Sequence, residues 1–132
     1  MDANLVKRIA LALQEAARNR TLLPYQRLHA MLPGQLPVSL RYDVLEAAAK
    51  KLEDLEICDY GVLLALDSGM PGSDFFLRFR RRRLADYILA LGDPRYTRPT
   101  RKMKTALVAA ERARVYQHAV SCATARPVAE RV

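Results

Sequence analysis

Apolar residues recur at helical spacing in three separate stretches of the first 57 residues, which predicts short helices packed on a shared core. Residues 3–18 predict the first helix. Residues 24–32 predict the second, and the Pro-Gly pair at 33–34 must end it. Residues 39–57 predict the third, with Ser39 as its N-cap. The third helix carries the clearest buried stripe, formed by Leu45, Ala48, Leu52 and Leu55.

After Asp59 the apolar period changes from helical to strand-like. Residues 60–66 form a short apolar run, and residues 67–74 are rich in the Gly, Pro, Ser and Asp typical of a turn. The next segment alternates between two faces, with Phe75, Leu77 and Phe79 on one and Phe76, Arg78 and Arg80 on the other. This pattern predicts a β-hairpin with a flexible tip.

The remaining third of the chain predicts two further helices. Residues 84–91 predict a short helix ended by Gly92, and residues 93–99 predict a basic loop. A last helix is expected from Thr100 to about Cys122, followed by a loose tail from residue 126. The length of 132 residues allows one domain with a real core.

Three helices, a short link before the second, and then a long-tipped hairpin resemble the winged helix-turn-helix family over residues 3–83. The resemblance implies a mainly α fold with a small β-hairpin: a winged helix-turn-helix core with additional C-terminal helices. We therefore expect a winged domain over residues 1–83. A helical extension over residues 84–125 would pack on it or serve dimerisation, and residues 126–132 would form the tail.

The resemblance also implies that the third helix enters the major groove of DNA with its N-terminal residues. Arg41 would then pair with guanine, and Ser39 or Tyr42 would bond phosphate. Ser39 is equally explained as a helix cap, and Tyr42 as half-buried packing. Residues 41–59 hold three basic and six acidic side chains, an unusual balance for a helix that binds DNA.

Basic charge is concentrated in the middle of the chain. The formal net charge is +8, and residues 78–104 hold ten Lys and Arg against two Asp. One cluster consists of Arg78, Arg80, Arg81, Arg82 and Arg83, and a second of Arg95, Arg98, Arg101, Lys102 and Lys104. Guanidinium groups bind phosphate bidentately, so both clusters are candidate nucleic-acid contacts. Phe76 and Tyr96 are candidates for stacking on bases. The alternative is a solvated charge run beside an aggregation-prone strand.

Other classes of function find little support in the sequence. Neither glycine-rich phosphate-binding motif occurs, and His29 and His118 stand apart from any triad or metal-ligand spacing. Cys58 and Cys122 form no CxxC pair. We therefore expect no enzymatic activity, no metal and no cofactor. No small-molecule ligand, membrane span or secretion signal is evident, and a cytoplasmic location follows as the default.

Together these features predict a bacterial or phage-type DNA-binding transcriptional regulator. RNA is an alternative partner, within a ribonucleoprotein. A winged-helix protein–protein adaptor, docking through the acidic third helix, is a second alternative. The alanine-rich faces of the first and last helices predict a homodimer, unless they close the core of a single chain instead.

Overall fold

The computed structural model describes the backbone of residues 2–130 and the side chains of residues 2–123. The fold is mainly helical, with one two-stranded parallel sheet. In chain order the elements are α1 (Ala3–Arg18), β1 (Leu23–Pro24), α2 (Tyr25–Met31), α3 (Val38–Leu52), a 3-10 helix (Tyr60–Leu63), β2 (Leu64–Ala65), α4 (Ser73–Arg82), α5 (Leu84–Leu91) and α6 (Arg101–Glu130).

Helix α1 forms where the sequence predicts it. The Asp2 carboxylate accepts hydrogen bonds from the amides of Asn4 and Leu5, at 2.9 and 3.3 Å, and so caps the free donors of the first turn. One face of the helix is buried against α3 and α6, through Leu5, Val6, Ile9, Ala10, Leu13, Ala16 and Ala17. Its apolar stripe therefore closes the core of its own chain.

Helix α3 begins one residue earlier than predicted and ends five residues earlier, at Leu52. It begins at Val38, after Pro37, so Ser39 lies inside the first turn and is not the N-cap. The backbone leaves the helix after Leu52, because Glu53 is extended and the Asp54 carboxylate accepts the amide of Glu56 in a separate turn. The buried residues of α3 are Val44, Leu45, Ala48 and Ala49.

The predicted β-hairpin is wrong. Strand β2 pairs in parallel with β1, Leu23 opposite Leu64, and the segment expected to return as the second hairpin strand is the helix α4. Helical spacing brings Phe75, Arg78 and Phe79 to the buried face and leaves Leu77 52% exposed, whereas a strand would have grouped Leu77 with the two phenylalanines. No wing is formed by residues 60–80.

Helices α5 and α6 pack on the same core as α1 and α3, through Tyr87, Leu91, Val108, Val115 and Ala119. Helix α5 has the predicted bounds, and Gly92 ends it with a φ of 86°, a conformation that favours glycine. The tail predicted from residue 126 is helical as far as Glu130, and residues 131 and 132 lie outside the described part of the chain. The homodimer predicted through the first and last helices stays a prediction.

A buried ionic cluster joins the helices to the loop before the 3-10 helix. Its charged members, each at most 7% exposed, are Asp59, Asp74, Arg78, Arg83 and Glu111. The Arg78 guanidinium bridges two carboxylates, with Nε 2.9 Å from Asp59 Oδ2 and Nη1 2.9 Å from Asp74 Oδ2. Burial alone would lower the pKa of Arg78, but the two carboxylates outweigh it and raise that pKa above its ordinary value. Arg78 therefore stays charged.

The cluster extends outward through hydrogen bonds to the Tyr25 hydroxyl and to the amide of Asp59. Tyr25 donates to Asp74 at 2.5 Å and accepts the amide of Gly72 at 2.9 Å. Burial, then the Asp74 carboxylate, raises the pKa of Tyr25, so its hydroxyl remains a donor. Glu111 of α6 accepts from Arg83 and, at 2.8 Å, from the amide of Asp59. Helices α2, α4 and α6 and the loop before the 3-10 helix are thereby held together by one set of charges.

We expect Gly61→Ala to destabilise the fold. A Cβ at this position would lie 2.1 Å from Arg78 Nη2 and 2.9 Å from Asp59 Oδ1, so the central ion pair would have to move. Overpacking of this kind costs about 1–3 kcal/mol in the free energy of unfolding, measured by urea denaturation. Gly34→Ala is the matched control, because no atom lies within 4 Å of the position that its new methyl group would take. Equal stability of the two variants would contradict the packing described here.

Candidate nucleic-acid interface

The five clustered arginines do not share one surface, because the helical turn of α4 separates them. Arg78 and Arg83 are buried and ion-paired, so neither is free to bind phosphate as the sequence predicts. Arg81 forms an ion pair with Glu46 of α3, and Arg82 lies 3.8 Å from the same carboxylate. Arg80 is exposed and forms no ion pair with any described residue.

A groove of about 810 Å³, here the α3–α5 groove, lies over the outer face of α4. Tyr42, Asp43 and Glu46 of α3 form one wall, and α5 with residues 93–95 forms the other. Arg80, Arg81 and Arg95 all line it, so the structure brings these three predicted residues together. Its lining includes three large aliphatic side chains, which belong to Leu77, Leu84 and Ile88.

A smaller groove of about 350 Å³, the α4–α6 groove, lies on the neighbouring side of α4. Ser73 and Phe76 of α4 face Arg101 and Lys104 of α6 across it. The Lys104 ammonium lies 5.4 Å from the centroid of the Phe76 ring, a cation–π contact. Because that ring is partly buried and covered by Lys104, it is less open to stacking on a base than the sequence suggests.

Tyr42 links these two grooves to the start of α3. Its hydroxyl lies 3.1 Å from Ser73 Oγ, and Tyr42 lines the α3–α5 groove while Ser73 lines the α4–α6 groove. The first two turns of α3, the outer face of α4 and the start of α6 therefore form one continuous surface. Ser39, one helical turn before Tyr42, is exposed, and Arg41 is half-buried.

The loop before α6 and its first turn carry the second predicted cluster. Arg95 pairs with Asp93, its Nη2 2.8 Å from Oδ2, and the hydrogen bonds from Arg95 lower the pKa of Asp93 to about 2. Four other cations form no ion pair within residues 2–123, and we call them the α6 patch: Arg98, Arg101, Lys102 and Lys104. Tyr96 is 82% exposed beside them, with the Arg95 guanidinium 5.2 Å from its ring centroid.

Sequence reasoning missed the acids that pair with the arginines. Asp74 and Arg78 are four residues apart, a spacing that pairs opposite charges on a helix, but the strand prediction concealed it. Asp59, Glu46 and Glu111 carry no comparable local signal, since each meets its arginine from a distant part of the chain.

Among the histidines and cysteines, His118 has hydrogen-bond partners and Cys58 is buried. His118, predicted to stand alone, lies with Nε2 2.6 Å from Glu53 Oε2 and Nδ1 2.7 Å from the Tyr60 hydroxyl. Burial, then the carboxylates of Glu111 and Glu53, raises the pKa of the Cys58 thiol to about 12, which keeps it protonated. Within the described side chains, no three His, Cys, Asp or Glu residues converge as a metal site requires.

Comparison with protein-family models, with curated proteins and with solved structures found no match. No helix of the described residues combines the length and apolar character needed to cross a membrane. A function is therefore inferred from the geometry and charge of the surface formed by the start of α3, the outer face of α4 and the start of α6.

We expect Arg78→Gln to lower the free energy of unfolding by about 3–5 kcal/mol, because it leaves two buried carboxylates without their counter-ion. Arg80→Gln, two residues along the same helix, should change stability by no more than about 0.5 kcal/mol, since Arg80 is exposed. Thermal and urea unfolding of both variants measure the difference. A tolerated Arg78→Gln would refute the structural role given to Arg78.

Proposed function

We propose that this chain binds nucleic acid, with duplex DNA as the first candidate, through the start of α3 and the α6 patch. The main observation that supports this proposal is the Tyr42–Ser73 contact, which joins the exposed start of α3 to the α4–α6 groove, lined by Arg101 and Lys104. Groove reading and phosphate binding would then use one continuous surface. A transcriptional regulator is the biological role that fits such a surface.

Helices α2 and α3 follow one another in the chain, separated by residues 32–37, which is the order of a helix-turn-helix, but they do not pack closely on each other. At the open end of α3, Val38, Ser39 and Leu40 are all exposed, and apolar side chains in this position suit contact with thymine methyl groups. Docking on a duplex would use the exposed start of α3 alone. Helix α4 lies beside α3 where the sequence suggested a wing.

The acidic residues of the α3 region do not oppose this docking mode. Glu53, Asp54 and Glu56 follow the end of α3, about 20 Å along the helix axis from its start. Glu46 is paired with Arg81. A duplex approaching the N-terminal turns would therefore meet Asp43 as the nearest acid of α3 without an ion pair, beside the four cations of the α6 patch.

We expect the double variant Arg101→Gln, Lys104→Gln to weaken binding to random duplex DNA by roughly ten- to fiftyfold at about 100 mM salt. The slope of log affinity against log salt should fall by about 2, because two phosphate contacts and their released counter-ions are lost. Fluorescence anisotropy over a salt series measures both quantities.

The matched control is Lys50→Gln, Lys51→Gln, which removes the same charge from exposed positions at the far end of α3. It should leave the salt slope unchanged. If both double variants lose affinity equally, binding reflects net charge and not this surface.

If the native chain binds none of duplex DNA, single-stranded DNA and structured RNA at low salt, the proposal is wrong and a protein adaptor becomes the better interpretation. A steeper salt slope with RNA would replace DNA as the partner.

We expect Arg41→Ala to relax sequence preference while keeping non-specific affinity. A bidentate arginine–guanine pair discriminates against other bases by about 1–3 kcal/mol, so selection from a random duplex library should lose its preference at one position. Lys50→Ala is the control on the same helix. Unchanged selection by Arg41→Ala would remove Arg41 from the reading surface.

A further inference from the structure

The α3–α5 groove combines apolar side chains with charge in a way that phosphate binding does not use. Leu77, Leu84 and Ile88 are 52%, 49% and 39% exposed, and all three line this one concave surface. Single exposed apolar residues are ordinary on protein surfaces, but their convergence in a groove is not. The volume of about 810 Å³ lies within the range of small-molecule sites.

The charges of the groove select for a particular ligand. Arg81 and Arg95 are neutralised by Glu46 and Asp93, which leaves Arg80 as the lining arginine without an ion pair among the described residues. A carboxylate is the natural partner of a guanidinium.

The acids of the groove argue against other occupants. Asp43, Glu46, Asp74 and Asp93 line the groove, and Asp43 is the one of these four that forms no ion pair with a described residue, so a nucleic-acid backbone or a strongly acidic peptide would be repelled as much as attracted. A ligand with a single negative charge and an apolar body suits Arg80, which forms no ion pair with a described residue, and the aliphatic side chains, with its carboxylate bound away from Asp43.

We propose that the α3–α5 groove binds a small organic monocarboxylate with an aromatic or branched apolar body. Arg80 receives the carboxylate, and Leu77, Leu84 and Ile88 contact the apolar body. This binding does not depend on the nucleic-acid proposal, because it requires no contact with the α6 patch. Since Tyr42 lines the groove and also contacts Ser73, ligand and nucleic acid would compete for the same end of α3.

The probe is 2-naphthoate, titrated into the folded chain and followed by the chemical shifts of backbone amides. We expect saturable shifts centred on Tyr42, Leu77, Arg80 and Ile88, with a dissociation constant of about 1 mM or tighter. The neutral isostere 2-naphthamide should bind at least about fivefold more weakly, because it lacks the charge that Arg80 recognises.

Two variants with matched controls locate the site. Arg80→Gln should weaken 2-naphthoate binding by about tenfold, while Arg98→Gln, outside the groove, should not. Ile88→Glu should abolish saturable binding by placing an acid beside the ligand. Leu89→Glu makes the same change at the next residue, which is 86% exposed and does not line the groove, and should leave binding intact.

Three results would overturn the proposal: no saturable shifts, shifts centred outside the groove, or equal binding of the acid and the amide. Circular dichroism of each variant separates loss of binding from loss of folding. Adding random duplex DNA to the 2-naphthoate complex tests the competition separately. Ligand binding without binding to duplex DNA, single-stranded DNA or structured RNA would refute the nucleic-acid proposal alone, and nucleic-acid binding without ligand binding would refute this one alone.

Discussion

The Arg78 guanidinium, held between Asp59 and Asp74, is the interaction on which the rest of the structure depends. It pairs a residue of the loop before the 3-10 helix with the first turn of α4, and it lies against Gly61, where a side chain would not fit. A buried charge is strongly destabilising unless every partner is present, so this arrangement tolerates few alternatives. Tyr25 and Glu111 extend it to α2 and α6, which fixes how the helices sit around α4.

Fixing α4 also determines which of its arginines can serve a partner. A helix rotates by about 100° per residue, so burying Arg78 places Arg80 on the opposite, outer face, whereas Arg81 lies at the edge of the buried face and pairs with Glu46. The sequence presents Arg78 to Arg83 as one charge run, whereas the structure divides it between an internal role and a surface role. The buried cluster holds two arginines and three carboxylates, so it carries a net negative charge. The excess basic charge of the chain is therefore left to the surface, where the α6 patch lies.

The sequence predicts those elements whose signals are local. Helix α1 has a capping aspartate and an unbroken apolar stripe, and α5 is ended by a glycine with positive φ, so both have their predicted bounds. Helix α4 escapes prediction because Phe75 and Phe79 fit a period of two as well as a helical turn, and because an arginine is expected to face solvent. The carboxylate that allows Arg78 to be buried belongs to Asp59, nineteen residues earlier in the chain, and no local sequence pattern predicts this pair. The candidate site is only partly predictable for the same reason. The sequence predicts Arg101, Lys104 and Tyr42 as nucleic-acid contacts, but whether they share a surface depends on how α4 packs.

Helix α4 thus acts as a platform between two different kinds of surface. On one side, Ser73 and Phe76 face the basic start of α6, and on the other side, Leu77 and Arg80 line the α3–α5 groove. Because α4 is held by the buried ionic cluster, neither surface can shift without disturbing the core. Coupling between the two would then pass through Tyr42, whose hydroxyl contacts Ser73 and which also lines the α3–α5 groove. A ligand that moved this tyrosine would alter the start of α3 directly, with no rearrangement of the helices required.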